Sequence, residues 1–282
     1  MRVLVSILLV LVFAPAHADT LARIAETGEL RVGFVPDAPP LSFVDQNGKA
    51  VGYSIDLCSH IADAVRKELK LDALNVIHTP LVSMPERLAA IESGAVDIEC
   101  GATTVTLSRR ERVDFTLMTF ITGVAVLSLK ENSIDTVDDV AGARIGVLSD
   151  TTTEAVIKNV IEVNEFDVDL VRLDSHDQGM ALLNNGKITG YASDRAMLIG
   201  QVFRNQNASN EYSLTRRTLS FEPYAMMLSR GDTDFRLVAD KALASLYRSA
   251  RIRRIYQTWF GRYGEPLSPI VEAMYQFQAV GD

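Results

Sequence analysis

Apolar positions along this chain switch repeatedly between short continuous runs and stripes at helical spacing. Leu30 to Val35 predicts a strand, followed by the turn Pro36-Asp37-Ala38-Pro39-Pro40. A hairpin is expected next, Leu41 to Val44 and Val51 to Tyr53 around Asp45-Gln46-Asn47-Gly48. From Ser54 to Leu69, residues Ile55, Cys58, Ile61, Ala62, Val65 and Leu69 share one side of a helix. Leu74 to Ile77 predicts a strand, Pro85 to Ser93 a helix entered by proline, and Ala95 to Ile98 a buried strand. The pattern continues with strand Gly123–Leu129, short helix Thr136–Val140 and strand Arg144–Leu148. Helix Glu154–Ile161, strand Asp169–Arg172, helix Asp177–Asn184 and strand Thr189–Ala192 follow, then strand Tyr224–Leu228 and two helices within Thr233–Tyr263.

Strands alternating with helices predict an α/β fold. Two halves share the order strand, turn, helix, strand, helix, strand, polar loop, with no composition break between them. The C-terminal helices carry Trp259 and Phe260 and need a sheet to cover.

The first eighteen residues read as an address. Arg2 is a short positive region, Val3 to Phe13 an apolar core, and Ala16-His17-Ala18 a small-residue cleavage site. The apolar core is too short to span a bilayer, which takes about twenty residues. Cleavage after Ala18 gives a chain starting at Asp19 and places it in a bacterial periplasm, with no cysteine nearby for a lipid anchor. The net charge of −8 offers no footprint for nucleic acid or anionic membranes. Arg251, Arg253 and Arg254 read as the solvated face of a helix. An oxidising compartment permits a bridge between the two cysteines, Cys58 and Cys100, but two buried free thiols are the expectation.

One stretch carries most of the chemistry. In DIECGATTVTLSRRERVDFT, Asp97 to Thr116, a strand breaks at Gly101 into the loop Ala102-Thr103-Thr104, and Arg109 follows where Ser108 is expected to cap a helix running through Arg112. Free hydroxyls, backbone N–H groups and an arginine at a strand end suit a small carboxylate. A guanidinium donates two parallel hydrogen bonds to it and keeps its charge when desolvated.

That segment, with GELRVGFVPDAPPLSFVDQNGKAVGYSIDLC, resembles the periplasmic amino-acid-binding proteins of ABC importers, the family 3 solute-binding group. GAVDIECGATT and GYSIDLC look closest to its glutamate/aspartate-binding members. The resemblance implies two α/β lobes of the type II-like periplasmic-binding-protein fold, each a mixed sheet flanked by helices, joined by two hinge strands. Lobe 1 is expected at 19–121 and 223–282, lobe 2 at 122–222, with closure around the ligand. It further implies a monomer that hands its ligand to an inner-membrane ABC permease and uses no cofactor.

The site is carried over by position. Arg109 matches the arginine that clamps the ligand α-carboxylate, and Thr104 the hydroxyl beside it. Thr151 and Thr152 precede a helix whose N-terminal N–H groups and dipole favour the same carboxylate. Asp194, in YASD, matches the acceptor of the ligand ammonium. Arg87 and His176 match residues that hold a side-chain carboxylate in glutamate/aspartate binders. A second arginine of those binders, near the end of the first strand, falls at Phe34-Val35 here, both apolar, and two of their serines appear as Met84 and Ala102, where only backbone groups of Ala102 serve. Val35 also stands where basic-amino-acid binders place an acid.

Glutamate or aspartate is therefore the expected ligand class, with glutamine or another carboxylate as the alternative. A dehydratase acting on prephenate-like acids is the second class, with Glu99, Glu154 and Glu222 as available acids. The sensor domain of a receptor is disfavoured, since no apolar span follows the lobes. There is no phosphate loop, no metal-ligand spacing among His17, His60, His78 and His176, and no serine nucleophile elbow.

Overall fold

The computed structural model describes residues 19–204, 211–249 and 251–281. The expected leader and the Asn207-Ala208-Ser209 loop lie outside the described residues. In chain order the helices are α1 (Thr20–Thr27), α2 (Tyr53–Glu68), α3 (Met84–Glu92), α4 (Leu107–Arg110), α5 (Thr152–Asn164), α6 (His176–Asn184), α7 (Arg195–Arg204), α8 (Thr233–Arg248), α9 (Arg251–Trp259) and α10 (Pro269–Gln278). The strands are β1 (Glu29–Phe34), β2 (Asp37–Ala38), β3 (Ser42–Val44), β4 (Ala50–Val51), β5 (Asn75–Pro80), β6 (Ile98–Glu99), β7 (Val113–Thr122), β8 (Val124–Leu129), β9 (Arg144–Leu148), β10 (Asp169–Leu173), β11 (Gly190–Asp194), β12 (Tyr212–Leu214) and β13 (Glu222–Ser229).

Two mixed sheets organise the chain. The first has the order β5-β1-β6-β13-β7, and the second β10-β9-β11-β8-β12. In the first, β1 runs parallel to β5 and β6, whereas β13 is antiparallel to β6 and β7. In the second, β9 is parallel to β10 and β11, and β8 is antiparallel to β11 and β12. A small antiparallel sheet, β2-β3-β4, sits beside the first. The chain passes from the first sheet to the second between β7 and β8, and returns between β12 and β13. Each sheet has apolar cores on its faces, so each is a packed body with a crevice at the strand ends.

The helices form where local signals agree. Ser83 caps α3 in a reciprocal box with Glu86, and Pro85 lies in its first turn. Thr151 caps α5 and Ser175 caps α6, each through a side-chain oxygen. Helices α8 to α10 return to the first sheet, where Phe260 stacks on Phe120 with ring centroids 4.8 Å apart. That contact answers the need of the C-terminal helices for a partner. Arg251, Arg253 and Arg254 are exposed on α9 around the buried Ile252.

The structure differs from the sequence pattern at several places. Strand β7 was not expected, because two register shifts against β13 blur its alternation. Helix α7 was not expected either: it is apolar with Gly200 near its middle, a weak helical signal. Helices α1 and α10 also lie outside the pattern read above. Helix α4 is only four residues long and is capped by Thr106 rather than Ser108. The cysteine expectation is corrected: Cys58 and Cys100 form a disulfide. The inner face of α2 holds Cys58 against the end of β6, with Cα atoms 6.1 Å apart, within bridging range.

Candidate functional site

Sequence-distant residues meet in one crevice between the two sheets. Arg87, Ala102, Thr104, Arg109, Thr151, Thr152, His176 and Asp194 all line it. Val35, Ala38, Met84, Leu148 and Met197 supply its apolar wall.

The first sheet contributes the loop after β6. Gly101 is required there: a Cβ would stand 2.1 Å from Glu99 Oε1 and 2.8 Å from Val35 Cγ2. The Ser54 hydroxyl donates to the Gly101 carbonyl at 2.7 Å, and the disulfide holds Cys100. Arg109 follows on α4. Its side chain donates to the Thr104 carbonyl at 2.6 Å and is buried. Burial first, then the neighbouring charge of Arg87, lowers its pKa to about 10, so it remains a cation at neutral pH.

Arg87 is already engaged. Its Nε donates to Glu99 Oε1 at 3.0 Å, its Nη2 donates to the Thr103 hydroxyl, and that hydroxyl donates to Glu99 Oε2 at 2.7 Å. Glu99 is 0% exposed, and an acid that deep requires such pairing. Glu99, an available acid by sequence, has both its oxygens committed in the structure. A glutamate between the buried positions Ile98 and Cys100 signals that some partner is needed, but nothing local in the sequence names Arg87 as that partner. Glu154 is likewise engaged, by Lys158 at 2.7 Å and by Arg172 at 3.0 Å.

The second sheet faces this loop with two helix starts and one strand end. The Thr151 hydroxyl is occupied by capping, accepting from Glu154 N at 3.2 Å and donating to the Leu148 carbonyl at 2.8 Å. Thr152 Oγ1 lies 3.3 Å from Thr104 Oγ1 across the crevice. His176 opens α6 and is buried, with Nδ1 2.5 Å from the Tyr191 hydroxyl. Burial lowers its pKa, outweighing the opposing pull of Asp37, so the ring is neutral at pH 7.

Asp194 ends β11 at 4% exposure. Its Oδ2 accepts from the Tyr224 hydroxyl, while Oδ1 is buried with no hydrogen-bond partner among the described residues. Burial, reinforced by the nearby Glu222 and opposed by the Tyr224 hydrogen bond and Arg109, raises its pKa to about 7. Tyr224 had no sequence signal as a site residue, since its pairing spans 30 positions and two sheets.

The arrangement places a guanidinium on one side of the crevice and a half-satisfied carboxylate on the other. Such a pair is complementary to the two ends of a zwitterion.

Comparison with known proteins agrees with the fold. Residues 30–262 match the model of bacterial extracellular solute-binding proteins, family 3. The chain is 32% identical over 269 residues to an L-glutamate/L-aspartate-binding protein of Pseudomonas aeruginosa, covering 94% of this chain and 87% of that protein. It is 28% identical over 247 residues to the glutamate/aspartate import solute-binding protein of Escherichia coli, covering 88% and 81%. Among solved structures, an ancestral arginine-binding protein bound to glutamine superposes with a TM-score of 0.73 at 29% identity, over 83% of this chain and 98% of that one. These relatives carry solute-binding names, which speaks for binding over the dehydratase alternative. No helix among the described residues is long and apolar enough to cross a membrane. The chain is a family 3 bacterial solute-binding protein, an amino-acid-binding component of ABC import.

Proposed function

We propose that this protein captures an acidic amino acid, glutamate or aspartate, in the periplasm and delivers it to an inner-membrane ABC permease. The observation that carries the reading is Arg109 facing Asp194 across the crevice, with one Asp194 oxygen buried and unpartnered. Arg109 and Thr104 take the α-carboxylate, together with Thr151, Thr152 and backbone groups of Ala102, and Asp194 takes the ammonium group. Arg87 and His176 take the side-chain carboxylate. The glutamate/aspartate relatives named above support that class. The protein works as a monomer after loss of residues 1–18, with lobe 1 at 19–121 and 223–282 and lobe 2 at 122–222.

Glutamine is the second ligand reading, and Glu99 favours it. Because Glu99 offsets the Arg87 charge, the side-chain end of the crevice attracts an acid less strongly than a free guanidinium does. The absence of a second arginine at Val35 acts in the same direction.

The test is a thermal-shift screen of the chain from Asp19, unfolded and refolded to strip carried ligand, against the common amino acids. A ligand that binds only the folded state adds about 2.7 kcal/mol at a hundredfold excess over Kd. Melting temperatures raised by glutamate or aspartate above all others support the acidic reading. A larger rise with glutamine moves the assignment to the amide, and no rise with any amino acid overturns the reading.

A further inference from the structure

We propose that the segment Asp37–Pro40 is a latch that holds the two lobes closed and sets how long the ligand stays. The inference rests on the capture reading above, and apart from the backbone N–H of His176 it concerns residues outside the ligand-clamping set.

Three contacts join this segment to the second lobe. Asp37 Oδ2 accepts the backbone N–H of His176 at 2.9 Å, at the start of α6. The Asp37 carbonyl accepts from Gln201 Nε2 on α7 at 2.5 Å. Gly200 on the same helix packs directly on the Pro39–Pro40 backbone: a Cβ there would stand 2.1 Å from the Pro39 carbonyl oxygen and 2.8 Å from Pro40 Cδ. All four residues of the segment are buried, as is Gly200, whereas Pro36 just before it is half-buried.

The near side of this contact is fixed to the first lobe. Tyr53 N donates to the Pro40 carbonyl at 2.9 Å, Ser54 N donates to the Leu41 carbonyl at 2.8 Å, and β2 pairs with β3. The Pro39 carbonyl therefore cannot retreat without disturbing the start of α2. On the far side, the α6 N-terminus presents an N–H group and the positive end of its dipole to a carboxylate. Asp37 thus caps, from the opposite lobe, a helix that Ser175 caps from within its own. These contacts exist only while the lobes are together, so their free energy adds to closure and not to the first encounter with ligand.

The consequence is kinetic. Weakening the latch should leave association nearly unchanged and speed dissociation, as for most changes at a closed interface. In Gly200→Leu, the added side chain meets backbone on a fixed segment, and dissociation of the amino acid selected by the thermal-shift screen should accelerate by roughly tenfold or more. Asp37→Ala should accelerate it by about three- to tenfold, and Asp37→Asn, which keeps an oxygen acceptor for His176 N–H, should recover most of the loss. Stopped-flow tryptophan fluorescence reads both rates, and far-UV circular dichroism checks folding. Small-angle X-ray scattering of the ligand-free proteins gives a reading independent of ligand identity: Gly200→Leu should have a larger radius of gyration than the parent chain. Parent-like dissociation rates in Gly200→Leu and Asp37→Ala overturn the latch. If no amino acid binds the parent chain, the capture reading fails, and an unchanged radius of gyration then overturns the latch separately.

Discussion

Tyr224, on a strand of the first sheet, donates its hydroxyl hydrogen to Asp194 at the end of a strand of the second. The bond occupies Oδ2, while Oδ1 has no partner among the described residues and is the oxygen proposed to take a ligand donor. Because burial holds the Asp194 pKa at about 7, the ligand-free carboxyl is substantially protonated in mildly acidic solution. An ammonium ligand favours the anion. Affinity should therefore rise with pH by nearly tenfold per unit up to about 7 and level off above it. Titration calorimetry near pH 6, in two buffers of different protonation heat, should show about one proton released per ligand. Asp194→Asn should abolish that release.

The same group makes a statement about stability. The folded chain holds the Asp194 proton above the ordinary carboxylate value of 3.8. Its contribution to stability is complete below that value and is lost as pH rises through about 7. Urea unfolding of the ligand-free protein across that window should show the parent chain losing stability toward neutral pH relative to Asp194→Asn.

Arg109→Ala removes the guanidinium proposed to clamp the α-carboxylate. Charge-assisted hydrogen bonds are worth about 1.5–3 kcal/mol each, so losing two should weaken binding by roughly two to four orders of magnitude. The fold should survive, because the residue sits on a one-turn helix beside the crevice rather than in an apolar core. Calorimetry on the variant, compared with Arg109→Lys, checks the claim. An unchanged Kd would falsify the clamp.

Glu99→Gln separates charge from shape at the other end of the crevice. Breaking a buried ion pair costs about 3–5 kcal/mol, and the amide, keeping an acceptor for Arg87, should place the loss at the lower end. With Arg87 no longer offset, selectivity for glutamate over glutamine should increase by about tenfold. Urea midpoints and competition titrations measure the two effects on one preparation.

Reduction of the Cys58–Cys100 bridge should cost about 2–4 kcal/mol, since it closes a loop of 42 positions. Thermal melts with and without reductant, beside Cys58→Ser/Cys100→Ser, should show the reduced parent melting with the double variant.

The fold was legible wherever periodicity and caps agreed, as in α2, α3 and β9. It was not legible at β7, where extra residues bulging from the strand itself against β13 shift its burial alternation, or at α7, whose glycine makes sense only against Pro39 beside the first sheet. Site chemistry was legible for residues whose local context carries the signal: an arginine after a polar loop, threonines before a helix, an aspartate ending a strand. Tyr224, and the engagement of Arg87 by Glu99, depend on partners distant in the chain or on which way a helix faces. The bridge was misjudged for the same reason, because spacing alone does not show whether two apolar cysteines face each other.

The loop after β6 is fastened at Cys100 by the disulfide, at Gly101 by Ser54 and at Thr103 by the Arg87–Glu99 pair. One half of the binding surface is thus rigid before any ligand arrives. On the capture reading proposed above, a ligand would meet a finished template on the first sheet, and the conformational entropy lost on capture would fall mainly on the approach of the second. Selectivity among incoming amino acids would then be exercised first on a static surface, and the moving half would act afterwards on what that surface had already retained.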